Sequence, residues 1–178
     1  MTLSPLSAAR VAEQVGQAAL LGGNLFGRVA MHPAVEGVCT PEERGKVVNA
    51  AWRRYGRVNS LSLLAVVGGW LATRDQAPDP DLVLAKDVAV GAVTLTGVAS
   101  ALAGVRFGKA APGGAVPLDS GSEAAAGASA SQTRQKRGLN MLGAASLVSE
   151  LALVGIQGAL AQEHFRRPAA RRFLRRRY

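Results

Sequence analysis

Charge is distributed along this chain in blocks, separated by long stretches that carry almost none. Residues 88–105, VAVGAVTLTGVASALAGV, have no charge in 18 positions, and residues 138–161 have one, Glu150, in 24. A third stretch, 58–73, is uncharged over 16 residues. A soluble helix of that length shows a polar face, whereas 88–105 offers only Thr94, Thr96 and Ser100. Apolar runs of about 18 or more residues match a hydrocarbon core about 30 Å thick. The pattern therefore predicts an all-α fold, an integral membrane helical bundle of about four helices.

The breakers between the runs set the boundaries. Ser7 can cap a first helix over about 8–31, which Pro33 stops. Val11, Val15, Ala18, Gly22, Leu25, Phe26 and Val29 recur at helical spacing, and Arg10, Gln14, Gln17, Asn24 and Arg28 make a narrow polar stripe. Such a helix spans a bilayer only if the stripe faces protein or water; otherwise it lies in the interface. Thr40, Pro41 and Glu43 form a capping box with proline at the first helical position. They start a second helix, 41–73, whose polar first half extends out of the membrane and can bend at Gly56. Trp52, Arg53, Arg54, Tyr55 and Arg57 then fall where an interfacial belt is expected, and Trp70 near the other boundary. Asp79 or Asp81 caps a third helix, 82–106, after the turn RDQAPDPD. Residues 1–107 thus form a three-helix membrane portion. Residues 108–137, rich in Gly, Ala, Ser and Pro, predict a disordered linker. A last membrane helix covers 138–163, and an arginine-rich tail occupies 164–178. No internal repeat is found.

Composition changes this picture little. With 178 residues, 48% apolar, the averages are those of one globular domain; only the segregation is unusual. The net charge of +9 would suggest nucleic acid if it covered a folded surface, but seven arginines are concentrated in the tail: Arg166, Arg167, Arg171, Arg172, Arg175, Arg176 and Arg177. Beside a membrane helix these are expected to rest on anionic lipid headgroups, and nucleic acid is not the expected partner. The single cysteine, Cys39, excludes an intrachain disulfide and a cysteine-based zinc site. No removable signal peptide is read at the N-terminus, so a spanning first helix would serve as its own insertion signal.

Few residues offer chemistry. Glu150 lies near the middle of the last apolar run, where a charge costs on the order of 3 kcal/mol by insertion scales. It must be protonated, face the bundle or pair, and Arg28, Asn24 and Lys86 are the partners within membrane depth. The simplest reading is a buried hydrogen bond that fixes packing; a proton or ion relay, or a ligand site, is the alternative. Lys86 and Asp87 are expected at the interface, with the lysine snorkelling to water. His32, and His164 beyond the last helix, lack paired ligand spacing, so no metal or cofactor is expected. The spacings Gly97–Ala101 and Ser100–Gly104 suit close helix packing. No G-x-S-x-G, H-E-x-x-H, C-x-x-C or G-x-G-x-x-G is present, and GKAAPGG (108–114) has the wrong order for a phosphate loop.

The run GGNLFGRVAMHPAVEGV (22–38), followed by RYGRVNSLSLLAVVGGWL (54–71), resembles bacterial four-helix membrane proteins of uncharacterised function grouped near the anthrone-oxygenase-like family. The shared features are a glycine-rich first helix ending at Pro33, a polar helix feeding the second span, and two further spans. The resemblance covers the first 105 residues. It implies oxidative chemistry within the bundle, for which Asn24, Arg28, His32 and Glu150 are the available polar groups; no catalytic residue carries over.

The function expected from the sequence is that of a structural or accessory membrane protein, packing with itself as a homo-oligomer or with a larger membrane complex. It would be multi-pass in the cell membrane, with its C-terminus cytoplasmic because the densest positive charge is there. The alternatives are a small oxidoreductase-like membrane enzyme or a transporter using the intramembrane polar cluster, and a soluble helical interaction module.

Overall fold

A computed structural model describes the backbone of residues 4–76 and 79–175, with side chains to Gln162. The fold is all-α, with four long helices and no strand among the described residues. The first is Pro5–Phe26, the second Pro41–Thr73, the third Pro80–Gly108 and the last Ala130–Arg175. The first and second pack antiparallel along their length, as do the third and last. The pairs join where the second meets the third and the first meets the last.

The caps anticipated from the sequence form at two starts. Thr40 accepts from the Glu43 backbone N–H at 3.3 Å, and Asp79 accepts from those of Asp81 and Leu82. The first helix begins a turn earlier than expected, at Ser4, whose hydroxyl accepts from Ser7 N–H. Pro33 does not simply end it. The chain widens into a π-turn, Gly27–Met31, then continues through His32–Ala34 and the 3₁₀ turn Val35–Gly37. Proline lacks an N–H and its ring clashes with the carbonyl four residues back, and a wide turn relieves both.

Segment 108–137, read from composition as a disordered linker, is given a packed conformation. The third helix runs to Gly108, and a loop with the 3₁₀ turn Pro112–Gly114 crosses the second helix. Val116 and Leu118 have no exposed surface and join Val35, Val48 and Phe107 in a small core. Leu118 N–H donates to Pro41 O at 3.0 Å, Arg44 to Asp119 O at 2.7 Å and Asn49 to Gly114 O at 2.7 Å. The last helix starts at Ala130, eight residues before the expected boundary at 138. Ser129 and Gln132 cap it reciprocally, Gln132 N–H to Ser129 Oγ and Ser129 N–H to Gln132 Oε1.

Among the described residues, two helices are long and apolar enough to cross a membrane, Pro80–Gly108 and the stretch Ala130–Gln162. Only 22% and 17% of their most apolar windows are buried. The first two helices fall short of that standard because polar residues interrupt them. A second core, of Leu20, Val66, Trp70, Ala89, Val90, Val93, Leu153 and Leu160, ties all four helices together.

Candidate functional site

The polar stripe of the first helix faces the bundle at Gln17, Asn24 and Arg28, and Glu13, outside the expected stripe, joins them; these positions lie four or seven residues apart. Gln14, expected in the stripe, is exposed instead. The buried positions belong to two clusters of different character.

The first cluster lies between the first and last helices. Glu150 is 3% exposed. Its Oε1 accepts from the Ser146 hydroxyl at 2.9 Å, and its Oε2 from the Asn24 amide at 3.4 Å. Asn24 also donates to Gly143 O at 3.3 Å and accepts from Arg28 Nε at 3.2 Å. The guanidinium continues to Asn140 O at 3.3 Å. It lies across Gly143, where a Cβ would come within 2.8 Å of Nη2, so a side chain there would push the arginine away. Sequence reasoning thus identified Asn24, Arg28 and Glu150, which the fold brings together through Asn24. Both Glu150 oxygens have donors, and the network is closed on itself. Chemically it is a clamp between two helices.

His32, the fourth nominated residue, is not hydrogen-bonded to this cluster. Its ring meets Trp52 edge-on, centroids 6.1 Å apart, and its backbone carbonyl accepts from Gly121 N–H at 3.1 Å. Gly121 is required there, because a Cβ would come within 2.4 Å of His32 Cα. Burial, then the positive charges of Lys136 and Arg28, hold the imidazole down at about 4. No group of three or more His, Cys, Asp or Glu among the described residues can hold a metal ion.

The second cluster was not foreseen. Lys86, expected to snorkel at the interface, is 2% exposed; its ammonium pairs with Glu13, itself 1% exposed, at 2.5 Å. This corrects the sequence reading, and it removes Lys86 from the partners of Glu150. The lysine is too deep to reach water because Trp70 covers it, with Nζ 4.1 Å from the ring centroid. Trp70 Nε1 donates to Asp87 Oδ1 at 2.8 Å, and Asp87 forms a two-pronged pair with Arg74 at 2.6–3.2 Å. Glu13 also packs on Gly69, where a Cβ would come within 2.6 Å of its own Cβ. Its one sequence signal is its position one turn before Gln17 on the stripe; nothing local pairs it with Lys86, 73 residues away.

Of the tail, Arg166, Arg167, Arg171, Arg172 and Arg175 belong to the last helix, but their side chains, with that of His164, lie outside the described residues, as do Arg176 and Arg177 altogether. Comparison with protein families, with curated proteins and with solved structures finds no match to this chain.

Proposed function

We propose that this chain is a multi-pass membrane protein whose four helices form a bundle in the bilayer, acting as a structural or accessory component that packs with itself or with a larger complex. One observation carries the reading: its burial is inverted relative to a protein in water. Leu61, Leu64, Leu71, Leu95, Leu102, Met141 and Val148 are 60–75% exposed, whereas Glu13, Lys86 and Glu150 are at most 3% exposed. Water would favour the reverse. Lipid accommodates the apolar exterior, and charged side chains in lipid turn inward and pair.

The low burial of the two apolar helices supports the same reading, since the core helix of a soluble protein is mostly enclosed. The Asn24–Arg28–Ser146–Glu150 network suits a structural role, because both Glu150 oxygens already accept within it and it ties the first helix to the last. If all four helices span, both termini share one side. The dense tail charge then favours the cytoplasm for both, with the tail on anionic headgroups. The exposed Arg53, Arg54 and Arg57 beside Trp52 would meet headgroups at the opposite face.

Fractionation tests this. Membranes from cells expressing the chain are washed with alkaline carbonate. Retention in the pellet until detergent is added is the expected result, and release by carbonate would overturn the membrane reading.

A further inference from the structure

Between Glu43 and Asp75 the chain carries no acidic residue, yet Arg53, Arg54 and Arg57 stand within little more than one turn of the second helix. All three side chains are exposed. Among the described residues the ion pairs are Arg74–Asp87 and Lys86–Glu13, so none of the three arginines meets a carboxylate. Arg57 lies four residues from Arg53 and three from Arg54, spacings that bring helix side chains together, and like charges so placed repel. An anion between them turns that repulsion into attraction. Phosphate suits best, because guanidinium groups hold its oxygens through paired N–H donors.

The same face supplies the remainder of a lipid site. At about 100° per residue, Arg53, Arg57, Leu64 and Leu71 fall within about 40° of one line, with Arg54 and Leu61 flanking it on one side. The three leucines are exposed. Leu61 begins about 6 Å beyond Arg57 along the axis, and the headgroup layer outside the hydrocarbon is about 5–8 Å deep on each side. A phosphate at the arginines therefore lays its acyl chain on Leu61 and Leu64. The third helix changes character at the same depth. Gly108 lies on Asn49 and Gly97 on Leu63, so Arg106, between the two glycines, stands level with the arginines. It is exposed beyond the exposed Leu102 and Leu95. Trp52, edge-on to His32 and Tyr55, is the aromatic anchor of this boundary.

On the membrane reading above, we propose that this face of the second helix binds an anionic phospholipid, with its phosphate among Arg53, Arg54 and Arg57 and an acyl chain along Leu61 and Leu64. Anionic lipid is preferred to phosphatidylcholine, whose choline cation offsets the phosphate charge and is itself repelled by the arginines. A soluble polyanion would use the arginines and leave the leucines uncovered, whereas a phospholipid uses both.

The test measures lipid selectivity by electron paramagnetic resonance. The full chain is reconstituted into phosphatidylcholine bilayers at low ionic strength, with a trace of spin-labelled phosphatidylglycerol or phosphatidylcholine. The motionally restricted fraction of each label reports lipid held at the protein surface, and flotation after a carbonate wash measures incorporation. The wild-type chain should favour phosphatidylglycerol several-fold. Arg53→Gln/Arg54→Gln/Arg57→Gln should lose more than half of that excess at equal incorporation. Arg53→Lys/Arg54→Lys/Arg57→Lys, which keeps the charge, should retain most of it. Arg175→Gln/Arg176→Gln/Arg177→Gln removes as much charge from the tail and should lose less than the helix variant. An incorporated wild-type chain without selectivity overturns the proposal. So does a loss of half or less in the glutamine variant of the helix, an equal loss in the tail variant, or a lysine variant that fails to keep the excess. Failure of the wild-type chain to float after carbonate would instead overturn the membrane reading beneath it.

Discussion

Replacing Gly45 by alanine has opposite consequences depending on whether the loop over 109–129 rests on the second helix. Gly45 lies inside Pro41–Thr73, and a glycine inside a helix costs roughly 0.5–1 kcal/mol relative to alanine. With a free linker, Gly45→Ala would therefore stabilise the protein. In the structure, the Cβ would meet the Val116 carbonyl oxygen at 2.0 Å, its carbon at 3.0 Å and its nitrogen at 3.1 Å. All three are backbone atoms, so no rotamer change makes room and the loop must move by more than an ångström. That movement strains the Leu118–Pro41 and Asn49–Gly114 hydrogen bonds and lifts Val116 and Leu118 from their core. Losing one such side chain from a core costs about 2–4 kcal/mol, which outweighs the helix gain. The expected net result is a destabilisation of roughly 1–3 kcal/mol. Gly56→Ala is the control, in the same helix with nothing within 4 Å of its Cβ, and should be neutral or stabilising. Thermal unfolding in detergent reads the stability. A glutamate-specific protease reads the loop, because Glu123 is exposed within it and should be cut faster in Gly45→Ala. Stabilisation of both variants with unchanged cleavage would refute the docking of the loop.

Other expectations follow from the two clusters and the histidine. Asn24→Leu removes the donor to Glu150 Oε2 and the acceptor of Arg28 Nε, and should cost about 1–3 kcal/mol in detergent; an unchanged melting temperature would show that the network clamps nothing. Lys86→Met alone leaves a buried carboxylate unpaired and should cost about 3–5 kcal/mol, whereas Glu13→Gln/Lys86→Met should cost much less; equal losses would deny that the two charges are coupled. His32 is held neutral at a value of about 4, below its ordinary 6.5, so the unfolded chain takes up the proton first. Its stabilising contribution is complete above about 6.5 and is lost as pH falls towards 4. Melting temperature should drop over that window, and less in His32→Phe; identical pH profiles would contradict the assignment.

Helix boundaries were legible in the sequence where a local device sets them, as at Thr40–Pro41–Glu43 and Asp79. The Glu150 cluster was legible too, because an isolated charge in an apolar run demands a partner and the first helix offers few. The Glu13–Lys86 pair depends on the register between helices distant in sequence, which no local pattern encodes. Ser129 and Gln132 did signal the early start of the last helix, but the small polar composition around them masked the capping box. The loop before it is held by Val116, Leu118 and a facing glycine, and average composition does not register three well-placed contacts.

The inverted burial itself is tested most directly by spin labels in the reconstituted chain, with Cys39→Ser as background and Leu95→Cys or Met141→Cys as labelling sites. Leu95 and Met141 are 73% and 75% exposed. In lipid, both labels should collide often with dissolved oxygen and rarely with a water-soluble nickel complex. Frequent collision with the nickel complex at both sites would mean that these faces meet water, contradicting the membrane bundle.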